Sequence, residues 1–301
     1  MNTMLKQIEK TESLTASEAI INYGLNWEVA KKAVVVDGIV QPDFVAVRRE
    51  DTKQVFQVSS PSYLPIQNKD MFSFFDEIVK TGQAKYINGG YYKKGAIVWL
   101  RAKVPCDFNI AGDEHKTYIK LTSSHDGTVR LVAQPEVYRQ VCTNGMHALV
   151  KDYQRSVSVK HTKNAEKLFI SNAKEIYKQE VEYFQMFAEK CNKMAKQTMT
   201  NLEIDSFLNE LFKVDASEVK TATRTENKIE VIRNLSINGT GMSHIKGTAW
   251  GLYNAITEYV DRYMPVRKTD ETESTDEKRD FSANFGSGLN LREEAFALLT
   301  R

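Results

Sequence analysis

The sequence predicts an α+β protein, with an antiparallel β-sheet from the N-terminal half packed with helices that come mainly from the C-terminal half. Three observations carry that expectation. Short apolar runs between Val29 and Val132 alternate with polar residues and are broken by Asp-Gly pairs, the period-two signature of strands joined by tight turns. Beyond Asn164 the apolar spacing changes to every third or fourth residue, the signature of an amphipathic helix. Thr15-Ala16-Ser17-Glu18 and Thr200-Asn201-Leu202-Glu203 both fit capping boxes, in which the hydroxyl and the carboxylate satisfy free backbone donors at a helix start.

Taken in order, the first capping box opens a short helix to about Tyr23, ended by Gly24. Val29 to Val36 reads as a strand, Asp37-Gly38 as its turn, Phe44 to Arg48 as the return and Gln54 to Val58 as a third strand, together a small meander. Asp70 to Lys80 has helical spacing, with Gly82 as the stop. Tyr91 to Val104 reads as one strand, followed by Tyr118 to Ser123 and Val129 to Val132 joined at Asp126-Gly127, then a helix near Asn144 to Lys151. One long helix is predicted over Asn164 to Lys196, a short one from Thr200 to about Phe212, and another over Gly247 to Tyr263, closed by Pro265. Residues 267–280 are almost all charged, Ser or Thr, which predicts a flexible loop before a Gly-Ser-Gly turn and a terminal helix. The chain thus divides into a β-rich portion, 14–163, and a helical portion, 164–299, read together as one domain.

A chain of 301 residues with 42% hydrophobic content can bury one large core or two modest ones. It has no window near the roughly 20 apolar residues of a membrane helix, and its start lacks a secretion signal, so a cytoplasmic protein with no membrane partner is expected. The three cysteines are odd in number and far apart, which argues for reduced thiols rather than a disulfide framework. Charge is uneven. Ala84 to Lys163 holds thirteen Lys and Arg against six Asp and Glu, a balance of +7, leaving −5 for the rest of a chain whose total is +2. A basic middle points to a polyanion.

Within that block, Ala96, Val98, Leu100, Ala102 and Val104 form the expected core face of a strand, and Ile97, Trp99, Arg101 and Lys103 form the other. Aromatics that stack bases beside cations that hold phosphates are what a single-strand groove needs. Tyr91, Tyr92, Lys93, Lys94, Trp99, Arg101 and Lys103 are therefore the candidate nucleic-acid residues, with Arg130, Arg155 and Lys160 as flanking candidates. The competing reading packs Trp99 under a helix. Cys142, Asn144, His147 and His161 contain the residue types of a thiol enzyme, but a small buried hydrophobe beside a helix cap explains Cys142 and Asn144 more simply. Zinc on His125, Cys142, His147 and His161 lacks any short paired spacing. Asn238-Gly239-Thr240-Gly241 lacks the spacing of a phosphate loop, and Asp205 and Glu210 sit where solvated side chains normally sit. No catalytic residue, metal or cofactor is assigned.

Tyr63-Leu64-Pro65-Ile66-Gln67-Asn68, Ser123-Ser124-His125-Asp126-Gly127, Val141-Cys142-Thr143-Asn144, His161-Thr162, Gly247 to Ala255 (GTAWGLYNA) and the terminal Phe285-Gly286-Ser287-Gly288 together resemble the phage- and plasmid-related family that carries domain of unknown function 932, DUF932. The resemblance spans roughly Leu14 to Leu299. One departure is Val137-Tyr138-Arg139-Gln140, where the family commonly has a Pro-Val-Arg-like approach to its Cys-x-Asn, which shifts the register of Arg139. The resemblance implies a mobile-element gene product in a bacterial cytoplasm. Elements of that kind often encode single-strand annealing recombinases, so the expected function is binding of DNA, single-stranded by preference, by a homo-oligomer in replication or recombination. The alternative is a structural or interaction protein assembling through the long helix, with a Cys- or His-dependent enzyme third.

Overall fold

The structure, a computed structural model, describes residues 15–79, 84–141, 145–146, 158–159, 167, 170–213, 219–267 and 274–301. In chain order these form α1 (Ala16–Asn22), β1 (Val29–Val36), β2 (Ile39–Arg49), β3 (Val55–Ser59), α2 (Asn68–Val79), β4 (Lys85–Tyr92), β5 (Ile97–Lys103), β6 (Phe108–Ile110), β7 (Asp113–Ser124), β8 (Leu131–Arg139), β9 (Gly145–Met146) and β10 (Ser158–Val159). The helices α3 (Ala173–Lys196), α4 (Asn201–Leu211), α5 (Val219–Asn238), α6 (Ala249–Glu258), α7 (Thr275–Phe285) and α8 (Ser287–Leu299) follow. The protein is α+β, with antiparallel sheets in its first half and helices mainly in its second. The chain forms two compact units interleaved in sequence. Unit 1 comprises Met1–Cys106, Thr117–Pro135 and Arg155–Glu182, and unit 2 comprises Asp107–Lys116, Glu136–Gln154 and Tyr183–Arg301.

In unit 1, Thr15 and Glu18 make both halves of the capping box of α1. The first sheet has the order β1-β2-β3 and is antiparallel throughout. Asp37 and Gly38 turn it with φ of 50° and 80°, the paired left-handed conformations of a type I′ hairpin. Ala33 faces Val45 while Val34 faces Gln41, so Pro42, Asp43 and Phe44 are looped out of β2. A proline has no N–H to lose there. The second sheet has the order β10-β8-β7-β5-β4. Tyr86 fixes α2 to it, its hydroxyl donating to Phe72 O at 3.1 Å and Asp76 Oδ1 at 2.7 Å and its ring meeting Phe72 and Phe75.

Two neighbouring amides close this unit. The Gln67 side chain accepts from Val29 N at 3.0 Å and donates to Val29 O at 2.9 Å. Asn68 Nδ2 donates to Leu25 O at 3.0 Å and Trp27 O at 3.3 Å, and its Oδ1 pairs with His125 Nε2 at 3.0 Å. Tyr63 OH donates to Ser124 O. The Tyr63–Asn68 and Ser123–Gly127 motifs therefore meet one another in the fold.

Unit 2 contains the first residues of β7 paired with β6 and the last residues of β8 paired with β9. Its aromatic core joins Tyr183 and Phe187 to Phe108 and Phe296, and Tyr253 to Trp250 and Phe296. Thr200 and Glu203 form the second capping box.

Four expectations need correction. Residues Tyr91 to Val104 are not one strand, because Lys93, Lys94 and Gly95 all have positive φ and fold the segment into a hairpin. Gly145 and Met146 pair with Tyr138 and Val137 as a strand instead of lying in a helix, and the rest of that segment lies outside the described residues. The loop predicted over 267–280 is interrupted by α7, whose Ser274 and Glu277 form a third capping box. An unanticipated helix, α5, buries Ile229, Ile232 and Leu235. The Gly82 stop and the start of the long helix lie outside the described residues.

The buried stripe of α3 runs through Ala173, Ile176, Glu180, Tyr183, Phe184, Phe187, Cys191 and Met194. Glu180 is fully buried with neither carboxylate oxygen hydrogen-bonded, and burial holds its pKa well above the usual carboxylate range. Burial thus favours the protonated carboxyl in the folded chain, while the unfolded chain ionises it above about pH 4.5, so stability falls as pH rises from there. Glu180→Gln should therefore stabilise the protein more at pH 7.5 than at pH 4, as read by urea denaturation at the two pH values.

Candidate nucleic-acid interface

The predicted groove residues separate into an exposed group and a buried one. Tyr91 and Tyr92 end β4 with side chains on opposite faces of the sheet. Tyr91 is 44% exposed, while Tyr92 is buried against Trp99, with ring centroids 6.4 Å apart. Lys93 and Lys94 follow, both exposed, with φ of 51° and 60°. Gly95 completes the turn at φ 106°, and a Cβ there would stand 3.0 Å from both Arg49 Nη1 and Trp27 Cζ2, so neither the backbone nor the space admits a larger residue.

Arg49 supports this corner from below. Its guanidinium lies 4.1 Å from the Trp27 ring centroid and 5.3 Å from that of Tyr91, a stacked cation between two aromatics. Nη1 donates to Lys94 O at 3.2 Å, and Nε and Nη2 hold Asp51 at 2.7 and 2.9 Å. The charge of Arg49 is thus engaged by Asp51, and its part is to hold Tyr91 and the turn in place. Trp27 in turn meets His125 at 5.3 Å, and His125 stacks on Phe56.

Trp99 and Arg101 are placed otherwise than the groove required. Strand β5 lies between β4 and β7, and from Ile97 to Ala102 every residue is buried, so both of its faces are covered. Trp99 lies on Gly90, its cross-strand partner, with Arg101 Cζ 5.2 Å and Lys120 Nζ 5.3 Å from its ring centroid. Arg101 also donates to Asn88 Oδ1 at 3.2 Å. As folded, no base can reach Trp99. Lys103 is half-buried and Arg130 exposed, whereas Arg155 and Lys160 lie outside the described residues, as do Cys142, Asn144, His147 and His161. Arg101, Lys120 and Arg139 of the basic middle are buried, as are its acids Asp113 and Glu136, so burial changes the net charge of that block little.

Unit 2 has its own polar cluster, around the fully buried Arg139. Its Nε donates to Asp113 Oδ2 at 2.7 Å and its Nη2 to the same oxygen. Nη1 donates to Asn254 Oδ1 at 3.1 Å and Nη2 to Gly241 O at 2.7 Å, which brings together β8, the Asn238–Gly241 loop and the Gly247–Ala255 motif. His244 stands at the open side, Nε2 3.1 Å from Asp113 Oδ2. Glu258 accepts from Thr240 N at 3.0 Å and Thr240 Oγ1 at 2.9 Å. The Thr240 amide that a bound phosphate would use is therefore already given to a carboxylate. His115 packs between Phe108 and Trp250, and its burial pushes the imidazole down to about 4.

The family model described as "Domain of unknown function (DUF932)" matches residues 55–281. The chain belongs to the DUF932 family. No curated protein and no solved structure matches it. The DUF932 match starts at β3 and ends within α7, so it takes in Tyr91, Lys93, Lys94 and the Arg139 cluster and leaves out Trp27, Arg49 and the β1–β2 hairpin. Among the described residues no helix is long and apolar enough to cross a membrane.

Arg139→Leu strands the Asp113 carboxylate in a buried setting and should cost about 3–5 kcal/mol in chemical denaturation, with Asp113→Asn in the same chain recovering part of it. His115 is neutral when folded and titrates near 6.5 when unfolded, so stability is complete above pH 6.5 and declines toward pH 4. The full loss is about 3 kcal/mol, and His115→Phe should flatten the thermal-stability profile across that window.

Proposed function

We propose that this DUF932 protein binds nucleic acid, single-stranded DNA by preference, in the replication or recombination of a phage or plasmid. The observation that carries the reading is the β4–β5 corner, where the exposed ring of Tyr91 stands beside the exposed Lys93 and Lys94. An aromatic face accepts any base, and adjacent ammonium groups neutralise the phosphates on either side. Arg49 and Trp27 stiffen the corner from within, so less ordering entropy is lost when a strand docks. Arg130 and Lys103 are secondary contacts in the same unit. Tyr92, Trp99 and Arg101 serve as support beneath the turn. The mobile-element setting rests on the resemblance of the motifs, and the comparison with annealing recombinases on fold-level analogy.

Fluorescence anisotropy with single- and double-stranded oligonucleotides at two salt concentrations tests the reading. Tyr91→Ala should weaken single-strand binding by about 1–3 kcal/mol. Lys93→Ala with Lys94→Ala should lower the slope of log affinity against log salt by about 1.4, two contacts at about 0.7 each. Trp99→Phe should leave both quantities unchanged. Absence of salt-sensitive binding below about 100 μM would refute the proposal.

A further inference from the structure

The tip of the β1–β2 hairpin exposes apolar side chains on both faces. Val36 (53% exposed) and Ile39 (67%) are cross-strand partners on one face, and Val35 (55%) and Val40 (58%) are partners on the other. Among the described residues, strand β3 pairs with β2 only at Val45 to Arg48, and the ribbon from Val34 to Gln41 extends beyond it as two strands. A two-stranded ribbon with apolar groups on both sides is marginal in water unless something covers it. The apolar stripe of the long helix, the other surface on which assembly could rest, is buried within the chain.

Among the described residues no strand pairs with the edge of β1 away from β2, and that edge has a defined start and phase. Val29 turns its N–H and C=O away from β2, since both are bound by Gln67. Strand alternation then turns the backbone of Lys31, Ala33 and Val35 outward as well, at the end of the sheet order β1-β2-β3. We infer that this edge pairs with the same edge of a second copy of the chain, antiparallel and centred on Val34.

Charge selects that centre. Pairing about Val34 sets Ala33 against Val35 of the copy, both with outward backbone, and sets Lys31 against Asp37 at each end of a two-fold contact. Centred on Ala33, Lys31 would face Val35, and centred on Lys32, like charges would oppose. Lys31 Nζ already donates to Pro61 O at 2.8 Å and keeps two donors for Asp37. Lys32 is turned to Glu50 at 3.3 Å and adds no charge to the apolar contact. The side chains of Val35, Val36, Ile39 and Val40 would then extend one continuous sheet surface across the two copies. This contact is independent of nucleic-acid binding and lies outside the residues matched by the family.

Sedimentation velocity on the full chain, between about 1 and 100 μM, tests the pairing. The wild-type chain is expected to shift from monomer to dimer in that range. Val35→Pro removes an outward N–H that the hairpin itself does not use, so it should leave far-UV circular dichroism unchanged and the protein monomeric. Lys31→Glu should weaken the dimer about tenfold, the effect counting twice by symmetry, and adding Asp37→Lys should restore it. The chain already carries Lys at positive φ at Lys53, Lys93, Lys94 and Lys213, so that substitution suits the turn. A wild-type monomer throughout, or an assembly that Val35→Pro leaves intact, overturns the inference. So does a monomer whose binding to oligonucleotides or anionic vesicles is lost in Val35→Pro, since the arm would then serve a different partner.

Discussion

Unit 1 depends on two side-chain amides that do the work of missing secondary structure. Between α1 and β1 the backbone has no ladder to join, and buried carbonyls there would be costly without partners. Asn68 takes the carbonyls of Leu25 and Trp27 and spends its oxygen on His125, while Gln67 imitates a neighbouring strand for Val29 alone. Trp27 is thereby fixed between His125 and Arg49, and Arg49 fixes Tyr91 and the carbonyl of Lys94. An exposed corner is thus built outward from a buried amide. The same Gln67 decides where the open edge of β1 begins, so both surfaces proposed for partners trace to adjacent residues of one motif.

The two units bury cations by different means. In unit 1 Arg101 and Lys120 approach the face of Trp99, whose quadrupole attracts a cation. In unit 2 Arg139 gives its hydrogen bonds to Asp113, Asn254 and Gly241, satisfying the guanidinium without solvent. Buried guanidinium groups of this kind fix geometry more than they add stability.

Local signals were legible where chemistry and structure share a short span. The boxes at Thr15 and Thr200, the Asp37-Gly38 turn and the meander all rest on contacts within a few residues. The same box at Ser274 is obscured by its charged surroundings, and α5 by the polar residues that separate Ile229, Ile232 and Leu235. Alternation along Tyr91 to Val104 sorts side chains between two faces, but a strand's place in the sheet decides whether either face meets water. For β5 neither does. Tyr91, Lys93 and Lys94 could be found as an aromatic and basic run, whereas Arg49 and Trp27 join them only through tertiary contacts. Asp113 and Arg139 likewise belong to different strands, and nothing in their local sequence announces the pair.

The interleaving of the units along the chain has a consequence for synthesis. Unit 1 draws its last segment from residues up to Glu182, and unit 2 begins with Asp107–Lys116, which lies between two segments of unit 1. A nascent chain emerging from the ribosome cannot finish its first unit and then start its second, as a tandem arrangement would. The early strands of unit 2 must wait, partly exposed, until the helices beyond Tyr183 arrive. Non-local closure of this kind slows folding, and it ties the completion of unit 1 to about three fifths of the 301 residues having been made.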